Sequence, residues 1–149
     1  MIWMNSMRYI KLLSIFAVFF YFFQANAAED VTITMEVNNI PSSKGNIIMY
    51  FCQNEDEFKS ERQTQYSFFF PAKKDRVTAK IIIPKGIYGI HIYHDENDNK
   101  MIDKNSSNHP VEKFGFSNNY FGSYSKLPDF NNTLINIEKN DQFIKINLR

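Results

Sequence analysis

Apolar and polar residues alternate with a period of two along short segments of the chain, and this pattern limits the folds that it can adopt. The alternation is clear at 31–37 and again at 77–83. Successive side chains of a strand point to opposite faces of a sheet, so a period of two is typical of half-buried strands. Residues 46–53 are apolar on both phases, which predicts a central strand covered on both faces.

Turn-forming residues separate these segments, for example at 41–45 and 84–86. About seven short strands with turns between them predict an all-β protein, an antiparallel β-sandwich of immunoglobulin-like or transthyretin-like type. Residues 104–131 are irregular and predict a long loop after the fifth or sixth strand. A small barrel is the alternative architecture. The polar stretch 54–65 fits either a loop or a short surface helix.

The N-terminal residues have the features of an export signal. Arg8 and Lys11 precede an apolar run at 12–23, and alanines at 25 and 27 offer a small-residue cleavage site. We therefore predict a signal peptide at 1–27 and a single β-sandwich domain at 28–149, exported to the periplasm or the extracellular space. A membrane span needs about 20 apolar residues, so no stable anchor is expected after cleavage. An uncleaved anchor is the alternative.

The charge and cysteine content exclude some classes of protein. Seventeen Lys and Arg residues nearly balance 16 Asp and Glu residues, with a formal net charge of +1. Because the chain has no basic stripe, nucleic acid is not expected as a partner. A protein, glycan or small-ligand partner stays open. Cys52 is the single cysteine, which rules out an internal disulfide. We expect it to be a small buried apolar residue.

The segment 86–103 combines a predicted strand with a loop dense in oxygen-bearing side chains. Asp95, Asn97 and Asn99 are spaced two apart, and Met101 and Asp103 continue the spacing. In a calcium loop, positions one, three and five supply side-chain oxygens, position seven a carbonyl, and position nine a direct or water-mediated ligand. This register matches those five positions. The sequence therefore predicts a weak calcium site.

The loop departs from the usual calcium pattern at two positions. Lys100 stands where glycine makes the sharp turn, and Ser106 stands where a bidentate glutamate completes the shell. Glu112 is the nearest downstream carboxylate that can replace it. Ile102, at position eight, is expected to anchor the loop to the core. The predicted ligands are Asp95, Asn97, Asn99, Met101, Asp103 and Glu112. The alternative is a plain turn, because Asp and Asn favour turns without any metal.

These residues also carry a family resemblance. A Pro-Lys-Gly turn at 84–86, a strand ending in His94-Asp95, the Asp/Asn loop and the Gly-Phe-Ser-Asn-Asn stretch at 115–119 resemble the secreted bacterial family known as domain of unknown function 2141. This chain has Asp98 and Lys100 where the family usually has glycine. The resemblance implies an exported β-sandwich domain and no established reaction. The strand entry is also similar to transthyretin-type and adhesin sandwiches, at the level of fold alone.

Histidines and carboxylates in and around the same segment offer weaker patterns for other chemistry. His91 and His94 are three apart on a strand, so they are expected to face opposite sides of the sheet. His94 with His109 gives only a weak zinc or copper pattern. Paired carboxylates for glycoside hydrolysis can be drawn from the loop, but their separation is not readable from sequence. No nucleophile or phosphate-binding motif is present, so no catalytic residue is assigned.

Aromatic residues follow the loop and leave two functional classes open. Most are expected in the core, and a minority could line a groove for a sugar, lipid or peptide. They are Phe114, Phe116, Tyr120, Phe121, Tyr124 and Phe130. The polar residues 117–119 suit either that groove or a cap on the calcium loop. The first class is an exported non-catalytic module rigidified by calcium. The second is a small-ligand-binding protein or hydrolase that uses the groove.

Overall fold

The alternating segments form two β-sheets that pack face to face. The computed structural model describes residues 28–121 and 126–149, so the predicted signal peptide and Tyr124 lie outside the described residues. Eight strands lie within these ranges: β1 Asp30–Ile40, β2 Asn46–Cys52, β3 Tyr66–Pro71, β4 Asp75–Pro84, β5 Gly86–Asp95, β6 Phe114–Phe116, β7 Leu134–Ile137 and β8 Gln142–Asn147. The prediction of an all-β sandwich with a long irregular loop after the fifth or sixth strand is confirmed, and the short strand β6 interrupts the stretch 104–131 that was predicted to be irregular.

The sheets have three and five strands. The first has the order β4-β1-β8, and the second has the order β3-β2-β5-β6, with β7 paired to the beginning of β5. All the pairings are antiparallel except that β1 runs parallel to β8, with Met35 opposite Ile144. The predicted antiparallel sandwich thus contains one parallel pair, at the edge of the three-stranded sheet. The short connection 138–141 carries the chain from one sheet to the other, so β7 and β8 do not form a hairpin.

The main core lies between the two sheets. The alternating residues of β1 are buried there, opposite Ile47, Met49 and Phe51 of β2. Tyr88, Ile90 and Ile92 of β5 belong to the same core, as their shared phase predicts. Burial of apolar surface is the main driving force for folding, and this layer contains most of the buried apolar residues in the described part of the chain.

A second apolar layer covers the outer face of the five-stranded sheet. It contains the β2 side chains that point away from the main core, including Tyr50 and Cys52, together with Tyr93 of β5. The prediction of a strand buried on both faces is thus confirmed for residues 47–52, whereas Gln53 is exposed. Cys52 is buried, and its burial raises the pKa of the thiol to about 12. The hydroxyl groups of Tyr50 and Tyr93 lie 3.0 Å apart inside this layer.

A short helix, α1 (Glu55–Ser60), covers part of that layer and resolves the ambiguity at 54–65. Asn54 caps it by accepting a hydrogen bond from the backbone N–H of Glu57 at 2.9 Å. Glu61, in the left-handed region at φ 49°, ends the helix. The helix buries Phe58 and exposes Glu55, Asp56 and Lys59. No helix within residues 28–121 and 126–149 has the length and apolar character needed to cross a membrane.

The stretch 117–119 ties backbone groups of different strands together. Ser117 is buried, and its hydroxyl accepts a hydrogen bond from Ile90 N–H at 2.9 Å while donating to the carbonyl of Thr133. Asn118, at φ 60°, donates its amide to the carbonyl of Leu134 at 3.0 Å. These bonds connect β5 to the turn that leads into β7. Residues 117–119 form a backbone clasp, and the expectation that they line a groove or cap the calcium loop was wrong.

The same stretch reaches the three-stranded sheet. The Asn119 side chain accepts from Asn147 N–H at 2.8 Å and donates to the Lys145 carbonyl at 3.1 Å. At Gly115, an added Cβ would lie 2.8 Å from the Asn147 carbonyl oxygen, so only glycine allows β8 to come this close. The Gly-Phe-Ser-Asn-Asn motif therefore connects the two sheets.

Candidate functional site

Strand β5 ends at Asp95, and the following loop folds around the carboxylate of this residue. Asp95 is 0% exposed. Its Oδ1 accepts a hydrogen bond from Asn99 N–H at 3.2 Å, and its Oδ2 accepts one from Lys100 N–H at 2.8 Å. A carboxylate that accepts backbone N–H groups four and five residues later forces the chain into a tight turn. Asp95 is thus the residue around which the loop is organised.

The next two predicted ligands lie in the same turn. Asn97 Oδ1 accepts from Asn99 N–H at 3.1 Å, and Asn99 Oδ1 accepts from Met101 N–H at 2.9 Å. The amide nitrogens of both asparagines point to the Asp103 carboxylate, at 2.6 and 2.9 Å. The side chains of positions one, three, five and nine are therefore brought together, as the spacing predicts.

The turn is tight although both expected glycines are missing. Asp98 has φ 59° and Lys100 has φ 62°, so each occupies the left-handed region. For a residue with a Cβ this conformation costs roughly 1–2 kcal/mol. Asp98 offsets part of this cost, since its carboxylate accepts from the Asn46 side chain at 3.0 Å. No corresponding bond is found for the Lys100 side chain within the described residues.

Glu112 holds the two ends of the loop together. Its Oε1 accepts from Glu96 N–H at 3.1 Å, and its Oε2 accepts from Asp103 N–H at 3.0 Å. Burial raises the pKa of Glu112, and the negative charges of Asp103 and Asp95 raise it further, while the two N–H bonds oppose that rise. Glu112, the predicted sixth ligand, thus lies next to the other predicted ligands, and both of its carboxylate oxygens accept hydrogen bonds from backbone N–H groups.

The remaining loop positions have different surroundings. The Met101 side chain is 62% exposed, so only its backbone carbonyl would serve as a ligand. Ile102 packs against the outer apolar layer, as predicted for a residue that anchors the loop. Ser106 lies in a separate turn around Asn105, whose Oδ1 accepts from the N–H groups of residues 107 and 109.

Negative charge in this site is not balanced by a basic side chain. Within residues 28–121 and 126–149, no Lys, Arg or His nitrogen lies within 4.0 Å of the carboxylates of Asp95, Asp103 or Glu112. A buried carboxylate is unfavourable unless it is paired, hydrogen-bonded or bound to a cation. Backbone N–H groups supply part of the compensation for Asp95 and Glu112. The arrangement fits a cation with oxygen ligands.

Nitrogen- and sulfur-containing side chains take little part in the site. Among the described residues, no group of three His, Cys, Asp or Glu side chains could hold a metal ion by itself. A cation in this loop would therefore also need amide and carbonyl oxygens as ligands. His94 is buried, and its Nε2 lies 2.7 Å from the Lys44 carbonyl oxygen. This bond holds the turn between β1 and β2 beside the end of β5.

The turn between β1 and β2 supports the site, and this role was not predicted from the sequence. Gly45 has φ 64°, and a Cβ at this position would collide with the carbonyl oxygen of Asp95 and lie 2.8 Å from Cα of Glu96. The backbone of the turn therefore lies directly against the start of the loop. A glycine that follows Pro-Ser-Ser-Lys indicates a left-handed residue. Its contact with Asp95 could not be predicted in the same way, because the two residues are far apart in the sequence.

A cavity of about 520 Å³ opens next to the loop on the outer face of the five-stranded sheet. Aromatic side chains form much of its wall, and Ile102 of the loop borders it. The aromatic wall residues are Phe58, His91, Phe114, Phe116 and Phe130. The prediction that the aromatic residues after the loop divide between core and groove thus agrees with the positions of Phe114, Phe116 and Phe130. Tyr120 is 41% exposed instead.

His91 faces the opposite side of the sheet from His94, as predicted. It is 1% exposed and stacks on Phe116 with ring centroids 4.9 Å apart. Burial lowers the pKa of His91 to about 4, and the positive charge of Lys104 adds to this effect, so the imidazole is neutral at pH 7. Its Nε2 is buried and has no hydrogen-bond partner in the described part of the chain.

Comparison with known proteins gives one match, to a family of bacterial proteins. A sequence model described as "Uncharacterized protein conserved in bacteria (DUF2141)" matches residues 35–145, a range that begins within β1, ends within β8 and includes the loop and the clasp. Neither the curated proteins nor the solved structures contain a significant match to the chain. Because the matched region covers most of the chain, this protein belongs to the DUF2141 family, an uncharacterized family conserved in bacteria.

Proposed function

We propose that this protein is an exported, non-catalytic β-sandwich module that binds calcium through the loop after β5. The observation that carries the proposal is the convergence of Asp95, Asn97, Asn99 and Asp103 on one turn, where no basic side chain of the described residues lies within 4.0 Å of the carboxylates. Calcium prefers six to eight oxygen ligands and tolerates irregular geometry. Carboxylate, amide and carbonyl oxygens in this register supply such a set.

The hydrogen bonds of the loop are compatible with a bound cation. The oxygens of Asp95, Asn97 and Asn99 each accept a backbone N–H group, and a carbonyl or carboxylate oxygen has a further lone pair for a metal. The carboxylate of Asp103 is held by two neutral amide groups, which compensate its charge less than a divalent ion does. Calcium would strengthen the connection between the beginning and the end of the loop.

The expected affinity is low. Asp95 and Asp103 are the charged ligands, with Glu112 as a third carboxylate, and Lys100 adds a positive charge to the same turn. Affinity in calcium loops depends on ligand charge and on rigidity, so we expect a Kd of about 10⁻⁴–10⁻³ M, the range of extracellular modules. Such a site is filled only where calcium is abundant, which agrees with the proposed export.

Calcium is expected to stabilise the native protein. At 1 mM calcium and this affinity, the free energy of unfolding should rise by about 0.4–1.4 kcal/mol, which is a few degrees in Tm. Asp103→Asn should abolish the rise, since it removes a charged ligand. Lys100→Gly should enlarge it, because it relieves a left-handed residue and removes a positive charge. The measurement is Tm in EDTA, calcium and magnesium for each variant.

The control variant is Asp141→Asn, which changes an exposed left-handed aspartate in the turn between β7 and β8. Its response to calcium should equal that of the parent. Magnesium should stabilise less, because it demands compact octahedral geometry and loses water reluctantly. Equal Tm values in EDTA and calcium for the parent would refute the calcium site, and a calcium effect that survives in Asp103→Asn would place the ion elsewhere.

Export is tested separately. We expect the protein recovered outside the cytoplasm to begin at Ala28, because the small residues at 25 and 27 meet the requirement for signal cleavage. Mass spectrometry of the intact protein and of its N-terminal peptide measures this. Ala27→Arg should block processing, while Gln24→Asn should not. Recovery of a chain that still contains residues 12–23 would contradict the proposed cleavage.

A further inference from the structure

The cavity on the outer face of the five-stranded sheet has the size and the wall of a small-molecule site. Its volume of about 520 Å³ lies within the range of roughly 300–1,000 Å³ that is common for ligand pockets. Phe58, Phe116 and Phe130 contribute flat apolar surfaces, and the rings of Phe58 and Phe130 lie 5.5 Å apart. Such surfaces favour a planar apolar group in edge or offset contact.

One buried polar side chain lies among the aromatic residues of this wall. His91 lines the cavity, is almost fully buried, and has no hydrogen-bond partner for Nε2 within the described residues. Buried polar groups are nearly always hydrogen-bonded, and each exception calls for an explanation. His91 neighbours Tyr50, Phe58, Tyr93 and Phe116, so the protein surrounds it mainly with aromatic rings. A ligand group in the cavity would supply the missing partner.

The charges around the cavity favour an uncharged ligand. Three lysines and three acidic residues line it, so their formal charges cancel. Lys59 is already paired with Glu55 at 2.8 Å, and Lys104 is paired with Glu61. A charged ligand would have to compete with these pairs and enter an apolar interior at a large desolvation penalty. The neutral imidazole offers no charge to offset that penalty.

We propose that this cavity binds a small uncharged aromatic alcohol, with its ring packed against Phe130 in the aromatic wall and its hydroxyl group on Nε2 of His91. A hydroxyl group is the suitable partner because it can either donate or accept a hydrogen bond, whichever tautomer the histidine adopts. The proposal is independent of calcium, since none of the side-chain oxygens proposed as calcium ligands lines the cavity.

A matched pair of probes tests the proposal. We expect 4-propylphenol to bind the purified protein about tenfold more tightly than propylbenzene, which differs only by the hydroxyl group; a tenfold ratio corresponds to about 1.4 kcal/mol. Titrations followed by NMR should shift the signals of His91 and of the phenylalanines of the wall. Equal affinities, or no binding of either probe at millimolar concentration, would overturn the proposal.

Two variants separate this role from a purely structural one. His91→Phe should bind both probes equally, and its Tm without ligand should rise by a few degrees, because the change removes an unpartnered buried polar atom. His109→Phe, which alters a histidine that does not line the cavity, should keep the tenfold preference. A His91→Phe variant that still prefers the phenol would show that Nε2 is not the binding group.

Discussion

Replacing Gly45 with alanine is expected to lower the free energy of unfolding by about 2–5 kcal/mol. Two effects add: a left-handed residue acquires a Cβ, at roughly 1–2 kcal/mol, and that Cβ enters closely packed backbone, at roughly 1–3 kcal/mol. The atoms in its way belong to the backbone of Asp95 and Glu96, so no side-chain rotation relieves the collision. Denaturant unfolding at fixed calcium measures the loss.

Gly86→Ala is the matched control for Gly45→Ala. A Cβ at Gly86 would meet only side-chain atoms of Tyr88, 3.2–3.4 Å away, and the backbone there does not require glycine. Its destabilisation should stay below about 1 kcal/mol. Because Gly45 lies against the first residue of the loop, its substitution should also weaken calcium binding, whereas Gly86→Ala should not. Equal losses in the two variants would contradict the tight contact between the turn and the loop.

Ser117→Ala is expected to destabilise the protein by about 2–4 kcal/mol. The substitution leaves the N–H of Ile90 and the carbonyl of Thr133 without the partner that the hydroxyl provides, and each unsatisfied buried group costs about 1–3 kcal/mol. The removed oxygen is fully buried, so water does not replace it readily. The measurement is again the free energy of unfolding from denaturant titration.

The comparison for Ser117→Ala is Ser106→Ala, in the exposed turn around Asn105. A substitution at such a surface position should change stability by no more than about 0.5 kcal/mol. Ser117→Ala should leave the Tm increment produced by calcium unchanged, because the clasp does not contact the proposed ligands. A loss of that increment with little loss of stability would mean that the serine belongs to the metal site.

These contacts explain the physical role of the Gly-Phe-Ser-Asn-Asn motif at 115–119 in this chain. Gly115, Ser117, Asn118 and Asn119 join backbone groups of β5, β7 and β8, so their task here is architectural. The Asp/Asn loop has a different character, because its carboxylates accept hydrogen bonds from neutral groups that compensate their negative charge only in part. A motif containing serine and two asparagines is thus no evidence for catalysis in this fold.

Much of the fold could be predicted from local patterns. Side-chain alternation in β1 and β4, and the doubly apolar β2, follow directly from the period of two in a strand. The convergence of Asp95, Asn97, Asn99 and Asp103 was also predictable, since every residue involved lies within nine positions and the turn is built from bonds between near neighbours. Local spacing determines local geometry.

Contacts between distant segments were decided only by the tertiary structure. The parallel pairing of β1 with β8, the contact of Gly45 with Asp95 and the clasp of Ser117 on Ile90 each join residues far apart in the chain. The cavity at His91 likewise needs α1, β5 and the 126–130 segment at once. Sequence patterns report which face of an element is buried, but not which element covers it, because the choice among covering elements depends on the packing of the whole domain.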